Sequence, residues 1–244
     1  LTCDGFEFMM YSSWYEKVEE IQAFLKELKL YIPVFHCEKS IGEYISKGSE
    51  EDLAEAFRRF EINCDLAKAM GAEKLVLHLW SGHVSDSNFQ SNLGAYPRLR
   101  EIADSYGLVL GIENVVCNVE NPMKHLRELR EAYPDIRFVF DTKMAAFHEE
   151  LEQLYEKEYE WLWKDGHICH YHVNDYNGGY MDWANLKTLH IGEGRVDFDK
   201  LFEFLKAKEY RFDFTVEATS FDQSGAIDCD SLNKTFAKIR KYFA

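Results

Sequence analysis

The sequence predicts a single α/β domain built on parallel strands, and three observations carry that prediction. Runs of large apolar residues alternate along the chain with stretches of helical amphipathic spacing. Four of the runs stop abruptly at a titratable side chain: Leu108-Val-Leu-Gly-Ile-Glu113, Arg137-Phe-Val-Phe-Asp141, Ile168-Cys-His-Tyr-His172 and Phe212-Asp-Phe-Thr-Val-Glu217. A strand covered on both faces reads as a continuous apolar run and holds an ionised group in its interior only at high cost. Those four groups therefore belong at strand carboxyl ends, where barrels and open α/β sheets keep their chemistry. No linker or low-complexity run divides the 244 residues, so residues 1–244 read as one domain.

The elements follow in order. Asp4 to Met10 reads as a strand with Glu7 near its end, and Tyr11 to Trp14 as a loop. Tyr15 to Lys29 places Val18, Ile21, Phe24, Leu25 and Leu28 on one helical face. Tyr31 to His36 is a second strand. A long helix from Glu50 to Met70 is stopped by Gly71 as a C-cap. Lys74 to Trp80 is a third strand carrying His78; Leu93 to Tyr106 is a helix, and the Glu113 strand is fourth. Asn121-Pro122 has the form of an N-cap with proline at N1 for a helix from Met123 to Tyr133, and the fifth strand ends at Asp141. Then come Met144 to Phe147, a charged helix from His148 to Lys164, and a sixth strand from Ile168 to Asn174. Asp175 to Leu189 is a loop long enough to act as a lid. The helix Asp199 to Ala207, the strand Phe212 to Glu217 and the helix Leu232 to Phe243 complete the chain. These are seven β/α units. At ~30 residues per unit, the expectation is a (β/α)8 TIM barrel whose first unit is missing from this chain, in keeping with an opening on Leu1 rather than methionine.

Composition excludes some classes. Hydrophobic residues make up 46% and charged residues 29%, and no apolar run approaches a membrane span, so a non-membrane protein is expected. A net charge of −15 disfavours nucleic acid, whose affinity comes largely from Lys and Arg on phosphates. Cys3, Cys37, Cys64, Cys117, Cys169 and Cys229 form no Cys-x-x-Cys pair, which reads as reduced thiols and a cytoplasmic location, and the first residues contain no signal peptide.

Gly5-Phe-Glu7, Gly111-Ile-Glu-Asn114, Phe140-Asp-Thr142, His172-Val-Asn-Asp175, Ile191-Gly-Glu-Gly194 and Val216-Glu217, taken in this order at strand ends, resemble the xylose isomerase-like TIM barrel superfamily. Sugar isomerases and epimerases, inosose dehydratases and the endonuclease IV type of AP endonuclease belong to it. The resemblance implies that Glu113, Asp141, His172 and Glu217 bind one divalent cation, and that Glu113 and Glu217 are the catalytic acid/base pair. Three carboxylates with one imidazole suit Mn²⁺, Mg²⁺ or Co²⁺ and accept Zn²⁺. The implied substrate is a small sugar, keto-sugar or polyol, isomerised or epimerised by proton transfer next to a carbonyl, with dehydration as a close variant. Two other readings stand beside it: an AP endonuclease and a catalytically idle sugar-binding barrel. A homo-oligomer is possible.

This chain departs from the family pattern in two places. Asp141-Thr-Lys-Met144 has Met144 where the family often has histidine, and Leu186 and Thr188 stand where the nuclease has metal ligands. Candidate substrate-binding residues are His36, His78, Trp80, Lys143, His190 and Trp183. For Lys143 the first reading is a surface lysine in a salt bridge; the second is a donor replacing the lost histidine. Asp175 either orients His172 or starts a turn, and Gly192-Glu-Gly194 reads as a turn with a buried Glu193.

Overall fold

The computed structural model describes residues 1–211, 213–218 and 220–243. Its strands are β1 (Glu7–Met9), β2 (Val34–His36), β3 (Lys74–Leu77), β4 (Val109–Glu113), β5 (Arg137–Asp141), β6 (Ile168–Val173) and β7 (Phe214–Val216). Its helices are α1 (Val18–Leu28), α2 (Ser40–Lys47), α3 (Glu50–Met70), α4 (Phe89–Ser105), α5 (Pro122–Ala132), α6 (Thr142–Phe147), α7 (Trp161–Lys164), α8 (Phe198–Ala207) and α9 (Cys229–Phe243). The sheet takes the strands in chain order with a helical connection after each, which is the topology of an α/β TIM barrel. The described residues cluster into two compact units, Asp4–Phe138 and Val139–Ala244 with Leu1–Cys3.

In the Asp4–Phe138 unit, β1 to β4 pair in parallel, with Met9 opposite His36, His36 opposite Val76 and Leu77 opposite Ile112. Phe35, Leu75, Leu77 and Ile112 fill the core with Phe60 and Leu99 from the helices. Glu7 opens β1 instead of closing it. The helix expected from Tyr15 begins as a 3-10 turn, Ser12–Lys17, before α1 takes over at Val18. For α3 the chain carries both signals: Ser49 accepts a hydrogen bond from the Asp52 N–H, and Gly71 adopts the left-handed conformation (φ 80°) that closes the last turn. α2 went unread in the sequence because it is short and has a glycine inside it. Gly42 is needed there, since a Cβ would lie 2.2 Å from the His78 carbonyl oxygen. Ile41 and Ile45, one turn apart, are fully buried.

A buried latch joins the loops after β3 and β4. Asp86 Oδ1 accepts from the backbone N–H of Asn118 (2.7 Å) and Val119 (3.1 Å); Oδ2 accepts from Glu120 N–H (2.8 Å) and lies 3.0 Å from His125 Nε2. Burial alone would raise this carboxyl's pKa, but the His125 ring and the three N–H groups outweigh it and hold it well below the usual range. An aspartate in the unfolded chain titrates near ~4. The latch therefore contributes its full stability above that pH and loses it as pH falls through the lower folded value. Asp86→Asn is expected to lose roughly 1–3 kcal/mol at neutral pH, with the difference from the wild type shrinking in acid. Urea titrations across pH check this, and a gap that does not change with pH contradicts it.

In the other unit, β6 and β7 pair with His172 opposite Thr215, and Phe140, Tyr171, Val173, Phe198, Phe202 and Leu205 form the core. The acidic helix expected from His148 to Lys164 is not continuous. It breaks into 3-10 turns, Leu151–Tyr155 and Lys157–Tyr159, before α7. Glu149 is left-handed (φ 55°) and Glu156 is extended. Glu152, Glu156 and Glu160 at i,i+4 spacing would repel one another along a regular helix. Phe212, expected to open the seventh strand, lies outside the described residues; β7 is described from Phe214.

Candidate functional site at the strand ends

In the Asp4–Phe138 unit, β4 ends on Glu113, which is 1% exposed. His36 is the last residue of β2 and His78 follows β3. His78 Nε2 lies 2.7 Å from Glu113 Oε2, His36 Nε2 lies 3.5 Å from the same oxygen, and the two rings meet edge-on at 4.9 Å. His36 Nδ1 is 2.8 Å from the Cys37 carbonyl, which can only accept, so the proton sits on Nδ1 and Nε2 faces Glu113. Burial pushes the His78 pKa down to about 4, against the pull of Glu113. The ligand atoms of His36, His78 and Glu113 all lie within 4.8 Å of one another. Trp80 is fully buried: its indole N–H donates to the Val115 carbonyl (3.2 Å) and its ring meets Phe89 and His125 edge-on, so it braces the loop after β4.

In the Val139–Ala244 unit, Asp141 closes β5 and is fully buried. Its Oδ1 caps α6 by accepting from Met144 N–H (2.7 Å), so position 144 is used through its backbone. Its Oδ2 accepts from Asn174 Nδ2 (3.1 Å), and the same amide nitrogen lies 3.5 Å from Glu217 Oε2. His172, fully buried in β6, places Nδ1 3.3 Å from Glu217 Oε1. Asn174 is thus the link between the ends of β5 and β7. Its own backbone is pinned at both groups by the Thr142 hydroxyl, which donates to the Asn174 carbonyl (2.7 Å) and accepts from its N–H (3.1 Å). Flipping the amide would bring its oxygen against two carboxylates, so chemistry fixes its orientation. Sequence reading quoted Asn174 only inside a motif. The signal available was its strand parity with His172.

Lys143 corrects its first reading. It is 6% exposed and makes no ion pair with any described residue. The residue's place explains this: it follows Asp141 by two positions, in the first turn of α6, where the chain leaves the sheet. His190 is buried, its N–H donates to Glu193 Oε2 (2.9 Å), and its Nδ1 has no hydrogen-bond partner among the described residues. Trp183 is 52% exposed, with its ring edge-on to Phe147 at 4.9 Å. His170, deeper in β6, bonds Thr215 Oγ1 (2.8 Å).

Asp175 neither orients His172 nor simply starts a turn. Fully buried, it accepts four backbone N–H groups: Tyr176 (2.8 Å) and Val196 (3.0 Å) on Oδ1, Gly192 (2.9 Å) and Gly194 (2.9 Å) on Oδ2. Gly192-Glu-Gly194 is therefore a turn wrapped around a carboxylate, with its glycine N–H groups already taken. Glu193 is exposed, contrary to expectation, because the turn points it outward. The 175–189 loop is closed at its base by Asp175 N–H donating to the Leu189 carbonyl (3.0 Å) and is packed by its own Tyr176, whose hydroxyl donates to the Gly179 carbonyl (2.8 Å). Met181 N–H donates to the Phe147 carbonyl (2.8 Å), tying the loop to α6.

Parallel strands taken in chain order with a helical connection after each, and acids and histidines at strand ends, define the class as an α/β TIM barrel. The chain belongs to the xylose isomerase-like TIM barrel family, whose model matches residues 2–234. It is 25% identical over 206 residues to the uncharacterized protein MJ1311 of Methanocaldococcus jannaschii, a match covering 77% of this chain and 66% of that protein. It is 24% identical over 200 residues to an inosose dehydratase of Erwinia tasmaniensis, covering 74% of this chain and 64% of that protein. The chain thus spans about two thirds of the length of these curated relatives. Among solved structures, a D-tagatose 3-epimerase-like protein superposes with a TM-score of 0.70 at 20% identity, over 100% of this chain and 92% of that one. An IolI protein with a bound zinc atom superposes with a TM-score of 0.66 at 16% identity, over 98% of this chain and 89% of that one. Among the described residues no helix is long and apolar enough to cross a membrane.

Proposed function

We propose that this chain is a divalent-metal-dependent isomerase or epimerase of a small sugar, keto-sugar or polyol, and that residues 1–244 act as one catalytic domain. Glu113, Asp141, His172 and Glu217 are the ligands in this reading, for one Mn²⁺, Mg²⁺, Co²⁺ or Zn²⁺. The observation that carries it is the cluster at the ends of β5, β6 and β7, where buried Asp141 and half-buried Glu217 are held by one Asn174 amide and Glu217 lies against buried His172. Two carboxylates and an imidazole gathered at three neighbouring strand ends form a donor set suited to a divalent cation. The zinc-bearing IolI neighbour and the sugar-named relatives support the same reading.

A divalent cation there would polarise the sugar's oxygens and lower the cost of removing the neighbouring proton. Glu217 takes the proton from the carbon next to the carbonyl, and the C–H electron pair becomes part of an enediolate. Glu113 returns a proton, to the opposite face of that carbon in epimerisation or to the adjacent carbon in isomerisation. His36, His78, Lys143 and His190 bind substrate oxygens, Trp183 forms part of the wall, and Trp80 backs it from the core. The test is solvent exchange. Incubated with keto-hexoses and each metal in D₂O, the chain is expected to place deuterium next to the carbonyl, read by NMR. Glu217→Gln should slow this by ~10²–10⁴-fold. Absence of exchange with every metal and sugar sinks the reading.

A further inference from the structure

Among the residues that α3 buries, Ala56, Phe60, Cys64, Leu66 and Ala67 surround a single amide, Asn63, which is fully buried. Asparagine is a poor helix former, and a buried amide is costly unless its polar atoms are matched. These are matched. Nδ2 donates to the Arg59 carbonyl (2.8 Å) and to the Tyr15 hydroxyl (3.0 Å), and Oδ1 accepts from the Glu38 N–H (3.1 Å). A carbonyl can only accept and a backbone N–H can only donate, so the amide has one orientation. The Glu38 N–H belongs to the same peptide group as the Cys37 carbonyl, which meets His36 Nδ1 at 2.8 Å. In a trans peptide the N–H and the C=O point in opposite directions. Holding the N–H on α3 therefore turns the carbonyl to the His36 ring. Both flanks of this peptide are tied as well. The Cys37 N–H donates to the Val76 carbonyl (2.8 Å), and the Glu38 carboxylate accepts from the Ser40 N–H (2.7 Å), the Ser40 hydroxyl (2.5 Å) and Arg59 (3.2 Å). The Arg59 guanidinium lies 4.8 Å from the ring centres of both Tyr15 and Tyr44.

We propose that Asn63 is a positioning residue that sets the tautomer of His36: through the Cys37–Glu38 peptide it keeps the proton on Nδ1, so that Nε2 meets the site as an acceptor. Glu113 Oε2 lies 2.7 Å from His78 Nε2 and 3.5 Å from His36 Nε2. In the other tautomer His36 would donate to that oxygen and compete with His78 for it. With the proton held on Nδ1, Glu113 takes its imidazole hydrogen bond from His78, and His36 accepts the proton of a substrate hydroxyl. This last step rests on the sugar-processing reading above, whereas the tautomer itself does not.

The experiment is long-range ¹H–¹⁵N NMR of the full chain carrying ¹⁵N-histidine, in mildly alkaline buffer without added metal, with the His36 signals assigned from His36→Gln. The wild type is expected to show His36 protonated on Nδ1 alone. Asn63→Leu and Asn63→Ala both remove the acceptor, and whichever of them folds should move His36 to the Nε2-protonated form or to a mixture of the two. Asn63→Asp keeps an oxygen opposite the Glu38 N–H and should return the Nδ1 form. A residue that only packs would change the melting temperature and leave the tautomer alone. Either a proton on Nε2 of His36 in the wild type or an unchanged tautomer in the variants lacking the acceptor overturns the proposal. In solvent exchange with keto-hexoses, losing one oriented hydrogen bond should raise KM roughly tenfold in the same variants, with kcat changed less. Tautomers that respond as expected in a chain that exchanges no sugar would remove the sugar reading and leave the positioning role. Sugar exchange with a tautomer indifferent to Asn63 would do the reverse.

Discussion

Alanine at His172 is expected to leave the purified chain unable to retain a divalent ion. His172 supplies the only imidazole in the proposed ligand set, and it is fully buried, so no solvent-exposed group takes its place. Its loss leaves Asp141 and Glu217, joined by one amide, as carboxylates with less to neutralise them. Like charges sharing one amide donor push one of the pair toward protonation, which cuts affinity further. Outer hydrogen-bond partners of ligands typically cost ~10–100-fold in metal affinity when removed, so a direct ligand should exceed that range. Asn174→Ala should fall within it. Elemental analysis of dialysed protein, followed by competition with a chromophoric chelator, measures both. A wild type that binds about one ion per chain, with Asn174→Ala weaker and His172→Ala empty, is the expected series. Full metal retention by His172→Ala would place the site elsewhere.

The parts of this molecule that could be read from sequence are those where one residue's neighbours in the chain decide its environment. Glu113 and Asp141 end apolar runs, and the physics that forbids a charge inside a covered strand places them correctly at the ends of β4 and β5. Ser49 and Gly71 bracket α3 because cap chemistry is local. What could not be read depends on partners distant in sequence. Asn174 matters through Asp141 and Glu217, 33 and 43 residues away. Asp175 matters through N–H groups 17 to 21 residues on. Lys143 looked like a surface lysine because lysines usually are, and only its low exposure in the first turn of α6 shows otherwise. The acidic stretch after α6 failed for another reason: its hydrophobic spacing resembles a helix, but repulsion among its glutamates and a left-handed Glu149 favour short turns.

The second large effect is expected at Asp175, and it separates loop order from metal binding. Replacing this side chain by alanine strands the backbone N–H groups of Tyr176, Gly192, Gly194 and Val196 in a buried place. Hydrogen bonds to a charged acceptor are worth about 1.5–3 kcal/mol each but do not sum, and removing one side of a buried charged network typically costs ~3–5 kcal/mol. Asparagine is no rescue, since its NH₂ would face two donors where the carboxylate offers an acceptor. Even a methyl group nearby is excluded: a Cβ on Gly194 would stand 2.3 Å from Asp175 Oδ1 and 2.5 Å from the Tyr176 carbonyl oxygen. The cost should fall on the segment from Tyr176 to Val196. Hydrogen exchange would then show lost protection at Gly192 and Gly194, and limited proteolysis would cut within this segment before the rest of the chain unfolds. Because that segment carries Trp183 and His190 but none of the four proposed ligands, Asp175→Ala should keep its metal while sugar turnover collapses, the reverse of a variant that loses the ion itself. Unchanged protection at those two glycines would mean that the carboxylate is not what holds the turn.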